Sequence, residues 1–193
     1  VYGARSAMIG GFNGTSNVLA GAKFGMPVLG TMAHSWIMSF SSELEAFRAY
    51  ARQYPNNLIL LADTYNTLKQ GVPDAITIFK EMKAAGTLPK AYGIRLDSGD
   101  LAYLSKEAHK MFVEAGFPDA IIAASNDLDE NLISELKAQG CVINSWGVGT
   151  NLITAKDSPS LGGVFKLVGQ YDDGKFIPKI KMSDNVEKIS NPG

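Results

Sequence analysis

Gly93-Ile94-Arg95-Leu96-Asp97-Ser98-Gly99-Asp100 holds the end of a strand, a turn and the start of a helix. Ala91–Asp97 reads as a short, nearly continuous apolar strand, the pattern of a parallel strand covered on both faces. Arg95 and Asp97 stand two apart and therefore share one side of it. Ser98, Gly99 and Asp100 open the following helix, with Asp100 as its N-cap. In a barrel the shared side is the interior near the mouth. An arginine buried there needs an anion, from a side chain or from a substrate. An internal Arg–Asp pair plus a helix cap accounts for the same residues, so this cluster alone leaves packing and ligand binding both open.

The same strand–loop–helix unit recurs on either side. Candidate strands are Val28–Thr31, Leu58–Asp63, Ala91–Asp97, Ala120–Ala124 and Val142–Trp146. A helix over roughly 16–24 follows a glycine-rich turn. Ser42 caps a second helix, with Glu45 three residues on in a capping-box arrangement. Pro73 opens a third near its N1 position and Gly86 ends it. A fourth runs from about Leu101 to Ala115 and stops at Gly116, and a fifth from about Asp129 to Ala138 stops at Gly140. Short apolar strands alternating with helices predict a parallel α/β architecture. Right-handed crossovers then bring every strand's C-terminal end to one side.

Those ends are polar almost without exception: His34, Asp63, Arg95 with Asp97, Ser125 with Asn126, and Gly147-Val148-Gly149-Thr150. An open sheet gathers such groups at one switch point, whereas a barrel spreads them around a rim, so the pattern favours a barrel. Gly147 and Gly149 permit close backbone approach, and with the Thr150 hydroxyl they suit a phosphate at a late strand end, though a simple turn fits as well. Ser125 and Asn126 reach sugar or phosphate oxygens or cap a helix. Asp63 binds ribose hydroxyls or a metal-bound phosphate, or caps a turn. His34 is a base, acid, nucleophile or core residue. No His, Cys or Glu beside it completes a metal site. After Thr150 the alternation stops. A strand over 164–169, the turn Asp172-Asp173-Gly174 and a returning strand over 175–181 predict an appended hairpin.

Composition narrows the function. The chain has 193 residues, 46% of them hydrophobic, and a formal net charge of -1. No basic run points to nucleic acid, and no stretch reaches the roughly 18 apolar residues of a membrane helix. Cys141 is the only cysteine, which excludes an internal disulfide and fits a reducing, cytoplasmic compartment. Val1 follows no initiator Met, and Asn191-Pro192-Gly193 ends in turn residues, so the expectation is a segment of a longer polypeptide.

Several segments, in order, resemble the nicotinate phosphoribosyltransferase family. They are Ile9–Gly21, Gly30-Thr31-Met32-Ala33-His34-Ser35, Gly93–Leu101, Gly147–Thr150 and Leu161–Val168. The match is to the barrel-domain portion of a bacterial-type member. It implies an irregular (β/α) barrel of the type II phosphoribosyltransferase kind, incomplete over 1–193, with 161–193 an appended strand and hairpin. It also implies ATP-coupled transfer of phosphoribosyl from phosphoribosyl pyrophosphate to nicotinate, giving nicotinate mononucleotide and pyrophosphate in NAD biosynthesis. Through the resemblance His34 matches the family's phosphohistidine. Arg95 and Asp97 match groups near the pyridine ring and ribose, and Gly147, Gly149 and Thr150 match the 5'-phosphate loop. Arg5 matches an anion-binding arginine, and Lys166, Lys181 and Ser183 fall near the nucleotide site. Magnesium is expected on substrate phosphates, with no dedicated metal site. The family's active site is completed across a homodimer. A nicotinamide- or quinolinate-specific relative, or an inactive binding barrel, is the alternative.

Overall fold

The computed structural model describes residues 1–160 and 167–179. They fall into two units, Val1–Lys156 and Asp157–Gly193. The first begins with three short helices: α1 (Tyr2–Ile9), α2 (Val18–Phe24) and α3 (His34–Met38). It continues through α4 (Glu43–Gln53), β1 (Leu58–Leu61), a π-helical turn (Thr67–Gly71), α5 (Val72–Ala84), β2 (Tyr92–Leu96), α6 (Leu101–Glu114), β3 (Ile121–Ala124), α7 (Glu130–Ala138), β4 (Ser145–Trp146) and α8 (Thr150–Ile153). The strands form one parallel sheet in the order β1-β2-β3-β4. Among the described residues β1 and β4 are its two edges, so the expected α/β parallel part is present as an open sheet.

The helix boundaries follow local chemistry. Ser42 accepts the Glu45 N–H, and Asp100 accepts the Tyr103 N–H at 2.9 Å. Asp129 does the same for Leu132 at 2.8 Å. Pro73 lies in the first turn of α5. α2, expected from about residue 16, begins at Val18 with Asn17 as its cap, whose side chain accepts the Ala20 N–H. The capping box at α4 is only half made, because the Glu45 carboxylate takes the Ser41 hydroxyl.

The core is a single cluster between sheet and helices, with Leu58, Leu60, Leu61, Ile94, Leu96 and Ile122 contributed by the strands. Phe79 of α5 is fully buried against the rings of Tyr92, Phe112 and Phe117, at centroid distances of 5.0 to 5.8 Å. Glycine is required at Gly93, because a Cβ there would run into the backbone of Ile121 on β3.

Two strand expectations are corrected. Val28–Thr31 is not a strand of the sheet. Val28 makes one isolated parallel bridge with Thr15, and Val28 and Leu29 stay about half exposed. Without a second strand beside it, an apolar run of this length has no ladder to join. The strand expected over 142–146 keeps only Ser145 and Trp146. There the Asn144 carboxamide oxygen accepts the Ile122 N–H at 3.1 Å, doing with a side chain what a strand carbonyl would do. The buried Ser105 hydroxyl likewise takes the Val142 N–H.

In the second unit β5 (Gly169–Asp172) and β6 (Lys175–Pro178) pair antiparallel across Asp173 and Gly174. Both turn residues have positive φ, the geometry that closes a two-residue hairpin. The start of the strand expected over 164–169, and Lys166, Lys181 and Ser183, lie outside the described residues.

Candidate active site

Parallel strands deliver their C-terminal residues to one edge, and there the side chains are bonded to one another. Asp63, just past β1, is the hub: its side chain is 1% exposed and takes three donors. The imidazole Nε2 of His34 lies 3.2 Å from Oδ1. The Asp97 N–H and the Ser98 hydroxyl donate to Oδ2 at 2.8 and 2.6 Å. Ser125, past β3, donates to Oδ1 of Asp97. One chain of hydrogen bonds thus links the first helix-borne group to the ends of β1, β2 and β3. Satisfied on every side, the Asp63 carboxylate fixes the imidazole as carboxylates fix metal-ligating or catalytic histidines. His34 itself is 37% exposed and open to a reactant. A neutral ring that donates through Nε2 keeps a lone pair on Nδ1.

Arg95 does not pair with Asp97. Its Nη1 donates to the Thr31 hydroxyl, and its buried Nε has no partner among the described residues. A guanidinium so placed has donors to spare for an anion. The internal Arg–Asp pair that the sequence left open is therefore not formed. Past β3, Asn126 and Asp127 both adopt positive φ (89° and 47°), a strained backbone for non-glycine residues. Past β4, the Gly147 N–H bonds Ala124, and Gly149 leads into α8 with φ -120° and ψ -105°. Asn151 on α8 donates to the carbonyl of Asp127 at 2.7 Å, which joins the β3 and β4 loops.

This set of strand ends can be weighed against known proteins. The profile of the Nicotinate phosphoribosyltransferase (NAPRTase) family matches residues 2–177. The chain belongs to that family. It is 53% identical to the nicotinate phosphoribosyltransferase of Bacillus subtilis over its whole length and 39% of that protein. It is 40% identical to the one from Dictyostelium discoideum, over 98% of the chain and 39% of the relative. Among solved structures it resembles human nicotinic acid phosphoribosyltransferase with a TM-score of 0.69 and 28% identity, covering 75% of the chain and 39% of that protein. A nicotinate-nucleotide pyrophosphorylase from Pyrococcus furiosus matches with a TM-score of 0.63 and 25% identity, over 78% of the chain and 38% of the other. The chain thus spans about two-fifths of the length of the relatives it matches.

Of the residues that the sequence singled out, His34, Asp63, Asp97 and Ser125 are brought into one network. Arg95 joins it through Thr31 and its place on β2. Gly147, Gly149 and Thr150 follow the next strand, and Asn126 stands exposed beside them. Arg5 is not in the network. It sits on α1 with its guanidinium 5.8 Å from the Phe24 ring centroid, although α1 does pack on α8, which Thr150 begins. Sequence reasoning missed Thr31, Ser98 and Asn151 as connectors. Thr31 and Ser98 lay inside quoted motifs, but which neighbour a hydroxyl meets is a tertiary fact. No helix among the described residues is long and apolar enough to cross a membrane.

Proposed function

We propose that the polypeptide to which these residues contribute transfers phosphoribosyl from phosphoribosyl pyrophosphate to nicotinate, releasing pyrophosphate and coupling the step to ATP hydrolysis at His34. The observation that carries this reading is the His34–Asp63 pair at the strand ends of a nicotinate phosphoribosyltransferase chain. Asp63 holds the imidazole by Nε2, so Nδ1 is the nitrogen that attacks the γ-phosphorus of ATP. The N–P bond forms as the bond to ADP breaks, and the ring proton stays on Nε2 facing Asp63. Hydrolysis of the phosphohistidine returns phosphate and the free ring.

Transfer itself runs through a ribosyl centre that gains positive charge as pyrophosphate leaves. Asp97, held by Ser125, presents its second carboxylate oxygen to that charge. Arg95 offers its free donors to the nicotinate carboxylate or the leaving phosphates. The glycine loop at 147–150 takes the 5'-phosphate through backbone N–H groups. The described residues include no cluster of three or more His, Cys, Asp or Glu fit to hold a metal. Magnesium, when bound with substrate, neutralises diphosphate charge and is carried mainly by phosphate oxygens. Barrel closure by further strands, a homodimer completing the site and a cytoplasmic location belong to the same proposal.

The test uses the full-length enzyme with γ-labelled ATP, phosphoribosyl pyrophosphate and either pyridine. His34→Ala is expected to abolish acid-labile protein phosphate and to lower ATP-coupled mononucleotide formation by about 10³-fold or more. Undiminished labelling in the variant would remove His34 from the reaction. Turnover of nicotinamide without nicotinate would overturn the substrate.

A further inference from the structure

Asn151 is a connector to which the proposed chemistry gives no task. It stands second in α8, directly after Thr150, with its side chain partly buried. Its carboxamide nitrogen donates to the Asp127 carbonyl at 2.7 Å and approaches the Leu128 carbonyl at 3.4 Å. The turn it grips is costly to hold. Asn126 and Asp127 are successive non-glycine residues with φ of 89° and 47°, a backbone that persists only where the surroundings impose it. Both flanks of that turn are fixed. Before it, Ser125 is bonded to Asp97 through its hydroxyl and to the Leu96 carbonyl through its N–H at 3.0 Å. After it, Leu128 is fully buried and Asp129 caps α7. The glycine loop is attached to the same segment at its other end. The Gly147 N–H bonds the Ala124 carbonyl at 2.8 Å, and a Cβ on Gly147 would stand 3.4 Å from that of Ser125. Residues 147–151 thus leave β4 beside Ser125 and come back to Asp127, held at both ends by the segment that carries the partner of Asp97.

We propose that Asn151 is a positioning residue that locks the glycine loop to the turn after β3. The role rests on the reading of residues 147–150 as the loop for the 5'-phosphate. With the tie made, that loop, Ser125 and the Asp97 carboxylate form one body. The phosphate end of the sugar and the charge at its reacting carbon are then set a fixed distance apart before substrate arrives. The tie works both ways: it holds the turn in its strained form, and the turn holds Gly149 and Thr150 in place. Without it the Asp127 carbonyl loses its donor and the turn relaxes toward negative φ. Ordering the loop is then left to the substrate, which weakens binding. Asn151 acts through the loop, so its loss falls on capture of the phosphoribosyl substrate more than on the chemical step.

The test uses the full-length protein. Asn151→Leu keeps the size of the side chain and removes the donor. Hydrogen–deuterium exchange without substrate is expected to quicken together in residues 125–128 and 147–151, with β1 and β2 unchanged. Acceleration in neither segment, or in 147–151 alone, would overturn the tie. The second arm measures turnover with phosphoribosyl pyrophosphate varied, and binding of ribose 5-phosphate alone. The KM for phosphoribosyl pyrophosphate is expected to rise about tenfold and the affinity for ribose 5-phosphate to fall as much, with kcat within about threefold of the parent. An unchanged KM, or a fall in kcat alone, would overturn the positioning role. Asn151→Ala, which lacks the donor and suits a helix, stands in if the Leu variant folds poorly, and the same split is expected of it. Should the parent bind neither phosphate ester while the two segments still quicken together, the phosphate reading of the loop fails. The role in capture fails with it, and the tie between the β3 and β4 loops stands.

Discussion

Two parts of the first unit are built from similarly apolar sequence and end up very differently. From Leu58 to Ala124 the strands and their helices bury most of their large apolar side chains, with Tyr65, Tyr103 and Val113 about half exposed. From Tyr2 to Met38, Tyr2, Ile9, Val18, Leu19 and Met38 are each more than 60% exposed. The carboxylates of the site stand on the first part and the histidine on the second. Asp63 and Asp97 are placed by a ladder and a core. His34 is placed by Met32, Ile37, the hydroxyl of Thr31 and the bond to Asp63 itself. A rigid scaffold fixes the acceptor side of the pair, and the donor side is held largely by the pair.

The comparison breaks most visibly at Phe79. It is wholly buried on α5 and packs against three other aromatic rings, Tyr92 on β2, Phe112 on α6 and Phe117 just after α6. Phe79→Ala is expected to cost about 3–5 kcal/mol, read from the urea midpoint. A loss below about 1 kcal/mol would mean that the sheet half is packed no better than the other.

How much of this was legible beforehand differs in the same way. Leu58–Leu61, Tyr92–Leu96 and Ile121–Ala124 were readable because a continuous apolar run between turn signals has few other destinations. Asp100, Asp129, Ser42 and Pro73 were readable because capping is a local interaction. Val28–Thr31 looked the same on paper, but a strand needs a partner, and pairing is not written in the run itself. Likewise α1, with little periodicity, and the short helix from His34 gave no clear signal. In the site, Asp63, Asp97 and Ser125 were legible from their strand-end positions, and His34 from its motif alone, since the strand expected before it is not formed. That Asp63 is the hub, and that Arg95 turns to Thr31 instead of Asp97, depends on distances between segments remote in sequence. The full burial of Glu43 was hidden because at the start of α4 it reads as an ordinary first-turn acid.

Glu43 gives the next-largest effect, and it depends on pH. Burial first, and the negative charges of Asp74 and Asp63 second, push its carboxyl up to about 7 in the folded chain against an ordinary 4.5. An acid raised in this way binds its proton more tightly when folded, so its contribution is fully present below about pH 4.5. It is lost as pH rises to about 7, where the folded protein too must bear the charge. The difference is on the order of 3 kcal/mol. The denaturation midpoint of the parent is therefore expected to fall between pH 5 and 8, and that of Glu43→Gln to fall much less over the same range. Parallel profiles would show that the carboxylate finds a compensating partner on folding.

The smallest effect tests the exposed half. Leu19 lies on α2 with 63% of its surface open, and Asn17, not Leu19, secures the start of that helix through the Ala20 N–H at 2.8 Å. Glutamine forms helix about as well as leucine, so Leu19→Gln changes neither propensity nor cap. What remains is a small amount of apolar contact, and the expected change in stability of the 193-residue chain is within about 0.5 kcal/mol. The His34 imidazole signal, sensitive to the seating of the same segment, should not move. A cost above about 1 kcal/mol would place Leu19 under cover in solution. The contrast between the two halves would then reflect an apolar surface that another segment or copy occupies, and His34 would be held by more than its bond to Asp63.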